Sequence, residues 1–229
     1  MSPNNLALNR NFERVSAELV KVAAQFQTAI LSDVTGRRGT LHSRIQPLSR
    51  QMKFAGPAMT VEVRPGDNLM IHAALALAKP GDVIIVDGKG DQTSALTGAL
   101  MAASAKAGGI AAFVIDAAVR DFEECAGGDF PIFSAGTNPT GPTRTQAGRV
   151  GFPISVAGVA VNPGDLVVGD ADGVVVVPRE SANHIFALAQ AKMASEAKRM
   201  AEIQAGKLVS SWLHEALIQA GVLKKGETL

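Results

Sequence analysis

The sequence predicts an α/β domain built around one strand–helix–strand unit. Residues 83–86 form a short apolar run after the turn signal Pro-Gly-Asp, as expected of a covered strand. Residues 98–106 are rich in Ala, Leu and Met, which favours a helix, and two glycines then end it. Residues 110–119 are too apolar for a half-exposed strand, so both faces should be covered. A unit of this length is typical of two parallel strands joined by a crossover helix.

This unit also predicts where a ligand would bind. In parallel α/β units, ligands lie beyond the carboxyl ends of the strands. Two features should meet there: the start of the crossover helix near Gly98, and the charged pair Arg120 and Asp121 that follows the second strand. The segment 87–91, Asp-Gly-Lys-Gly-Asp, lacks the complete calcium-loop and phosphate-loop patterns. We interpret it as a loop near the mouth of the site.

The chain before the unit supplies helices and one strand. Residues 12–26 carry apolar side chains at helical spacing, and a short helix is predicted over 28–35. A strand is predicted over 58–64, between two pairs of Pro and Gly residues. Asp67 can then cap a helix over 68–79.

The chain after the unit is loop-rich over 127–151 and returns to β structure over 152–161 and 166–177. The second of these segments contains Asp-Ala-Asp-Gly, which predicts a tight hairpin turn. One long helix is expected over 180–205, and a short amphipathic helix over 212–220. The long helix is polar on much of its surface, which is typical of a helix that reaches over a neighbouring subunit.

Composition and charge narrow the classes of function. The formal net charge of +1 gives no electrostatic case for nucleic acid or an anionic membrane. One cysteine, Cys125, excludes an intramolecular disulfide and a thiolate metal cluster. No apolar run reaches the roughly 18 residues that span a bilayer, and the first residues lack the features of a signal peptide. A cytoplasmic protein is therefore expected.

The residues at the predicted site favour carboxylate and metal chemistry. Free amides at a helix N-terminus bind carboxylates, and Gly98 would let a ligand approach the backbone closely. A single carboxylate such as Asp121 suits Mg²⁺, which keeps much of its own hydration. Arg120 is a fixed cation that could stabilise an enolate.

Structural roles for the same residues stay open at this stage. Asp121 and Glu124 have the spacing of a capping box, and one carboxylate oxygen could cap a helix while the other binds a metal. Arg120 taken alone is equally typical of a surface or ion-pair residue. The four histidines show no metal-ligand spacing and are interpreted as structural. Cys125 has no evident catalytic base.

Several strings together carry a resemblance to a known family. They are Pro-Gly-Asp-Val-Ile-Ile-Val-Asp from Pro80, Gly-Ala-Leu-Met-Ala from Gly98, Val-Ile-Asp-Ala-Ala-Val-Arg-Asp ending at Asp121, and Gly-Asp-Leu-Val-Val-Gly-Asp-Ala-Asp-Gly-Val-Val-Val-Val-Pro from Gly164. The chain resembles proteins related to the regulator of ribonuclease activity A (RraA). Among these it is similar to the 4-hydroxy-4-methyl-2-oxoglutarate / 4-carboxy-4-hydroxy-2-oxoadipate aldolases. The resemblance covers a core over about 25–205 of one domain, 1–229, with a C-terminal helical extension over 206–229.

The resemblance implies a three-layer β/β/α swivelling domain with N-terminal helices and a long C-terminal helix. It implies homotrimers or homohexamers with sites between subunits. It also implies a class II lyase that uses Mg²⁺ or Mn²⁺ to cleave a 4-hydroxy-2-oxo acid and release pyruvate. Oxaloacetate decarboxylase activity is expected beside the aldolase activity.

By position, the resemblance also implies roles for individual residues. The backbone amides that would hold the substrate carboxylate belong to Gly98, Ala99, Leu100 and Met101. Arg120 would bind the keto or enolate oxygen, and Asp121 would ligate the metal. Glu196 falls where the family places an acid from a neighbouring subunit. That assignment rests on spacing, and Glu196 also suits a solvated position on a charged helix.

One position departs from the family. The aldolases carry Asp or Glu directly after the helix glycine, where this chain has Ala99. That acid helps to orient metal-bound water, so oxaloacetate decarboxylation should tolerate the change better than aldol cleavage. Two alternatives therefore stand beside the aldolase: a non-catalytic RraA-like protein that regulates a partner such as a ribonuclease, and a related 2-oxo acid lyase with a different substrate.

Overall fold

The structure is a computed structural model, and it describes residues 7–228. The chain forms two compact units that divide after Ala189. In chain order the elements are α1 (Ala17–Ala23), α2 (Thr28–Val34), β1 (Gln46–Pro47), β2 (Phe54–Glu62), α3 (Leu69–Leu77), β3 (Val83–Thr97), α4 (Ala99–Ala107), β4 (Ala112–Val119), α5 (Phe122–Gly127), β5 (Ile132–Thr137), β6 (Arg149–Val150), β7 (Ile154–Val156), β8 (Val159–Val161), β9 (Leu166–Asp170), β10 (Gly173–Val177), a 3₁₀ turn (Arg179–Ser181), α6 (Ala182–Gln204) and α7 (Leu213–Gln219).

Four parallel strands in the order β5–β4–β3–β2 form the centre of the first unit. The crossover from β3 through α4 to β4 is the predicted strand–helix–strand unit, and that prediction is confirmed. β2 also extends the sheet at its other edge, because its first residues pair antiparallel with β9, which pairs in turn with β10. The predicted hairpin after β9 is likewise present, with Gly173 opposite Asp170.

The sheet is covered on both faces because its strands alternate apolar side chains between two cores. Ile84 and Val86 point to the core formed with α3 and α4. Val83 and Ile85 point to the opposite core, which the β7–β8 hairpin closes. A third core packs α1, α2 and the start of α6 against β9 and β10. The layers confirm the predicted α/β class with helices on one side of the sheet and further β structure on the other.

The segment 87–91 is part of β3, so the prediction of a loop there is wrong. The pairing of β3 with β4 shifts register between Val86 and Asp91. Lys89 and Gly90 adopt positive φ values of 61° and 70° within this irregularity. A bulge absorbs the extra residues and lets the strand resume, which is why β3 continues to Thr97.

Two other boundaries differ from the sequence prediction. Residues 152–161 form a hairpin rather than one strand, because Ala157 and Gly158 turn the chain with φ values of 48° and 88°. The first helix begins only at Ala17, since the Ser16 hydroxyl accepts a hydrogen bond from the Leu19 amide at 3.3 Å and caps it. The remaining helices lie within about two residues of their predicted ends, as expected for helix termini.

The second unit contains the later turns of α6 and the short helix α7. The Arg199 guanidinium donates to the carbonyls of Lys207 and Leu208 at 2.9 and 2.7 Å, which closes the turn after α6. Within the described residues, no helix is both long enough and apolar enough to cross a membrane.

Candidate functional site

The carboxyl ends of β3 and β4 bring the predicted site residues together. Thr97, the last residue of β3, pairs with Val119, the last residue of β4. The Arg120 amide donates to the Thr97 carbonyl at 3.0 Å. The residue pair before α5, Arg120 and Asp121, is therefore held beside the start of α4 at Gly98.

Asp121 directs its carboxylate toward α4 rather than toward its own helix. Its backbone is left-handed, with φ 58° and ψ 45°, and its side chain makes no capping bond to α5. Instead, Asp121 Oδ2 accepts a hydrogen bond from the Ala99 amide at 3.0 Å. The predicted capping box is thus absent. A left-handed aspartate costs about 1 kcal/mol or more, and such strained residues cluster at functional sites.

Gly98 is required by this arrangement. A Cβ atom at residue 98 would lie 2.4 Å from Asp121 Oδ2 and 2.9 Å from Arg120 Cγ. The backbone of Gly98 is extended, with φ −165°, so positive φ is not the reason for the glycine. The sequence argument placed a ligand against Gly98, whereas the structure places the Asp121 carboxylate there.

The first turn of α4 offers a place for an anion. The Ala99 amide is engaged by Asp121. The amides of Leu100 and Met101 precede the first intrahelical bond, which the Ala102 amide donates to the Gly98 carbonyl at 3.0 Å. Such early amides lack helical acceptors and lie at the positive end of the helix dipole. Of the four predicted carboxylate-binding residues, Leu100 and Met101 therefore keep amides suited to that role.

A cavity of about 140 Å³ opens between α4, β4 and the loop after β5. We call it the site cavity; it is lined by Asn68, His72, Ala95, Leu96, Thr97, Gly98, Leu100, Met101, Arg120, Asp121, Pro142 and Arg144. It is smaller than the roughly 300–1,000 Å³ of pockets for drug-sized ligands. Two arginines on its wall favour an anion. These properties suit a small carboxylic acid.

Four polar lining residues were missed by the sequence analysis: Asn68, His72, Thr97 and Arg144. His72 was interpreted as structural, yet it lies on the wall of the site cavity. Partial desolvation lowers the pKa of His72, and the nearby charge of Arg144 lowers it further. Asn68 follows β2, whose carboxyl end lies at the same edge of the sheet as those of β3 and β4. The strand-end argument could have been extended to it.

Asp67 anchors the loop that carries Arg144. Its Oδ2 atom accepts from the Thr143 hydroxyl and the Thr145 amide, each at 2.7 Å. Its Oδ1 atom accepts from the Leu69 amide at 3.0 Å, but the N-cap residue of α3 is Asn68, one residue after the predicted cap. Burial opposes ionisation of this carboxylate, but the hydrogen bonds together outweigh it and lower the pKa of Asp67 to about 2. The loop is therefore tied to a permanently charged group.

The donor set fits a hydrated divalent ion. Among the described residues, no group of three or more His, Cys, Asp or Glu side chains could hold a metal. Asp121 supplies one carboxylate, whose Oδ2 is bound to the Ala99 amide and whose side chain is 41% exposed. Mg²⁺ and Mn²⁺ accept a site of one carboxylate completed by water and ligand oxygens. Asp121 is the residue that could hold such an ion.

Glu196 and the segment 87–91 do not line the site cavity of the first unit. Glu196 is exposed on α6 in the second unit, where Lys192 Nζ lies 3.4 Å from its Oε1 atom. Within 87–91, Lys89 forms ion pairs with Asp87 and Glu62. The predicted contribution of Glu196 from a neighbouring subunit stays a prediction.

Two comparisons by sequence group the chain with known proteins. The family described as "RraA-like: Aldolase/RraA" matches residues 23–176. A protein of Halalkalibacterium halodurans, named "Putative 4-hydroxy-4-methyl-2-oxoglutarate aldolase", is 42% identical over 172 residues, which cover 75% of this chain and 82% of that protein.

The chain is also similar to solved structures, and one of them is described as an RraA family member. Streptomyces coelicolor RraAS2, described as an unusual member of the RNase ES inhibitor RraA protein family, superposes with a TM-score of 0.74 at 30% identity and covers 83% of this chain and 100% of its own. An uncharacterized protein of Pseudomonas syringae pv. tomato superposes with a TM-score of 0.75 at 27% identity, covering 85% of this chain and 96% of its own. The matched family region includes the crossover unit and every residue that lines the site cavity. The chain belongs to the RraA-like (Aldolase/RraA) family.

Proposed function

We propose that this protein is a divalent-metal-dependent lyase that cleaves a carbon–carbon bond of a 4-hydroxy-2-oxo acid, releases pyruvate, and also decarboxylates oxaloacetate. The observation that supports this best is the Asp121 carboxylate. It is turned onto the Ala99 amide, part exposed, on the wall of a small cavity that Arg120 and Arg144 also line. The name of the 42% identical relative supports the same reaction class.

Each residue of the site would have a separate role in such a reaction. Asp121 would hold Mg²⁺ or Mn²⁺, which when bound supplies positive charge to polarise the 2-oxo group of the substrate. The amides of Leu100 and Met101 donate hydrogen bonds to the substrate carboxylate at the start of α4. Arg120 lies on the same wall and stabilises the negative charge that develops on the 2-oxo oxygen as the bond breaks.

Ala99 shapes the relative rates of the two activities. Its methyl side chain can neither take nor give a proton, so it cannot assist loss of the proton from a substrate hydroxyl. Decarboxylation of oxaloacetate has no hydroxyl to deprotonate and needs only stabilisation of the pyruvate enolate. We therefore expect the decarboxylase activity to exceed the aldolase activity.

Assembly through the site is part of the proposal. Leu100 is 85% exposed on the cavity wall, and Phe122, next to Asp121, is 48% exposed. Large apolar side chains beside a polar site are typical of a surface that another subunit covers. A homotrimer or homohexamer would cover them and could bring Glu196 of a neighbouring chain to the site.

Pyruvate release tests the proposal. Oxaloacetate and 4-hydroxy-4-methyl-2-oxoglutarate would each be incubated with the protein in Mg²⁺ and, separately, in EDTA. The expected result is release in Mg²⁺ that EDTA abolishes, with the faster rate on oxaloacetate. Absence of release from both substrates would contradict the proposal and leave a partner-binding protein, or a lyase for another 2-oxo acid, as the surviving hypotheses.

A further inference from the structure

Two residues that line the site cavity each carry a buried polar atom that has no hydrogen-bond partner within the described chain. The atoms are Asn68 Oδ1 and Thr97 Oγ1. Asn68 is 1% exposed and Thr97 is 3% exposed, and both residues line the site cavity. Buried side-chain polar atoms are nearly always paired, so each exception calls for an explanation. A ligand in the cavity supplies one.

The orientation of the Asn68 amide follows from its other contact. Asn68 Nδ2 donates to the Leu96 carbonyl at 2.9 Å. Because a carbonyl can only accept, the amino group must face Leu96 and the free atom must be the acceptor Oδ1. The backbone of Asn68 is fixed as well: its amide donates to the Thr143 carbonyl, and its carbonyl accepts from the Ile71 amide, both at 3.0 Å. The side chain is held with its acceptor unpaired.

Thr97 contributes a group of different character. Its carbonyl accepts from the Arg120 amide at 3.0 Å, which holds the end of β3 in place. Its hydroxyl can both donate and accept a hydrogen bond. A carboxylate offers only acceptors and would leave Asn68 Oδ1 unpaired. An alcohol satisfies both residues, since its O–H donates to Asn68 and its oxygen accepts from Thr97.

We infer that Asn68 and Thr97 bind the hydroxyl group of the substrate, so that acids with a 4-hydroxyl bind more tightly than otherwise identical acids that lack it. This inference rests on the proposed lyase function for its choice of substrate. The two residues orient the hydroxyl and take no proton from it, because neither an amide oxygen nor a threonine hydroxyl is a base at neutral pH. A site built to hydrogen-bond a hydroxyl discriminates strongly against the analogue without it.

Thr97→Val is the sharpest variant, because it removes the hydroxyl and keeps the β-branched shape that suits a strand. The matched control is Thr137→Val. Thr137 pairs with Val119 from the other side of β4, is exposed, and does not line the site cavity. Asn68→Leu removes the second partner. The double variant should lose little more than the more affected single variant, since both residues bind one group.

The kinetic readout is kcat/KM for 4-hydroxy-4-methyl-2-oxoglutarate and for oxaloacetate. Thr97→Val should lower the first value about 10-fold or more relative to any change in the second. Thr137→Val should change neither value. An equal fall in kcat/KM on both substrates would mean that Thr97 has a general structural role. No fall on either substrate would mean that its hydroxyl bonds to a group other than the substrate. Each result would overturn the inference.

A binding measurement separates this inference from the lyase function itself. Calorimetry in Mg²⁺ would compare 2,4-dihydroxyglutarate with 2-hydroxyglutarate, which differ by the 4-hydroxyl and cannot undergo retro-aldol cleavage. The wild type should bind the dihydroxy acid about 10-fold more tightly, and Thr97→Val should bind both acids equally. That preference in a protein without lyase activity would overturn the proposed function alone. A wild type without the preference would overturn the inference even if pyruvate is released.

Discussion

Two arginine–aspartate pairs, one with its aspartate inside β4 and one directly after the strand, differ in almost every physical respect. Inside the strand, both Asp116 oxygens accept from the Arg44 guanidinium at 2.8 Å, and Oδ2 accepts from the Ala157 amide at 3.0 Å. The Asp116 side chain is 2% exposed. At the end of the strand, Arg120 Nε lies 3.8 Å from Asp121 Oδ2, and each of these side chains is 41% exposed.

The difference distinguishes a carboxylate that stabilises the fold, Asp116, from one that is available to a ligand, Asp121. Asp116 accepts three hydrogen bonds from protein donors, and its bonds with Arg44 raise the pKa of that guanidinium. Asp121 has one bond that fixes its direction, in a strained backbone conformation, and keeps coordination capacity. Charge alone does not mark a site. The property that distinguishes the two carboxylates is the number of their lone pairs that accept hydrogen bonds from the protein itself.

The largest effect should follow from Asp121→Asn. Asparagine tolerates the left-handed conformation of this residue, so the fold should keep its stability within about 0.5 kcal/mol. Loss of the anionic ligand should lower pyruvate release roughly 100-fold or more. Steady-state assays with oxaloacetate in Mg²⁺ measure this. Activity near that of the wild type would show that Asp121 does not serve the reaction.

Asp116→Asn should give the complementary result. Asparagine cannot accept both Arg44 bonds, and breaking a buried pair costs about 3 kcal/mol, somewhat less here because Arg44 is partly solvated. We expect the free energy of unfolding, measured with urea, to fall by about 2–3 kcal/mol. The control is Asp129→Asn, which breaks the exposed pair with Lys106 and should lower the free energy of unfolding far less than Asp116→Asn does. Equal losses in the two variants would remove the distinction drawn for Asp116.

Asp67 is a further carboxylate that stabilises the fold, and its contribution should depend on pH. Its pKa is lowered to about 2 in the folded chain, from an ordinary value of 3.8. A carboxylate of this kind stabilises the fold above its unfolded pKa and loses that contribution as the pH falls through its folded pKa. Asp67→Asn should therefore reduce the free energy of unfolding by about 2 kcal/mol at pH 7. The deficit should shrink between about pH 4 and pH 2, and a deficit independent of pH would contradict the assignment.

The smallest effect should come from Gly98→Ala. The new Cβ atom would lie 2.4 Å from Asp121 Oδ2, so the carboxylate must move. A displacement of this kind should lower pyruvate release about 10-fold or more. Gly127→Ala at the end of α5 is the control, because a Cβ there meets nothing within 4 Å. Similar activities for the two variants would show that the position of the Asp121 carboxylate does not matter.

Apolar patterning was sufficient to predict the crossover unit and the edge of the sheet at which the site lies. Residues 83–86 and 112–119 are buried on both faces, as their composition indicates. The position of Arg120 and Asp121 beside Gly98 follows from that topology. The crossover unit and the location of the site depend on local composition, which can be read from a sequence, and on the way in which parallel strands are generally connected.

The direction of the Asp121 side chain could not be predicted in the same way. Its sequence context is that of a capping box, and the space left by Gly98, the N-cap residue of α4, lets it turn to that helix. The bulge over 87–91 and the turn at Ala157 also depend on partners distant in sequence. Asn68 looks like an ordinary residue before a helix, because its unpaired oxygen is visible only in three dimensions.

The most direct test of the metal role is the binding of Mn²⁺, followed by electron paramagnetic resonance of the free ion. The wild type should bind one Mn²⁺ per chain, and Asp116→Asn, if folded, should bind it equally well. Asp121→Asn should weaken that binding about 10-fold or more. Unchanged Mn²⁺ binding by Asp121→Asn would contradict the assignment of this carboxylate as the metal ligand.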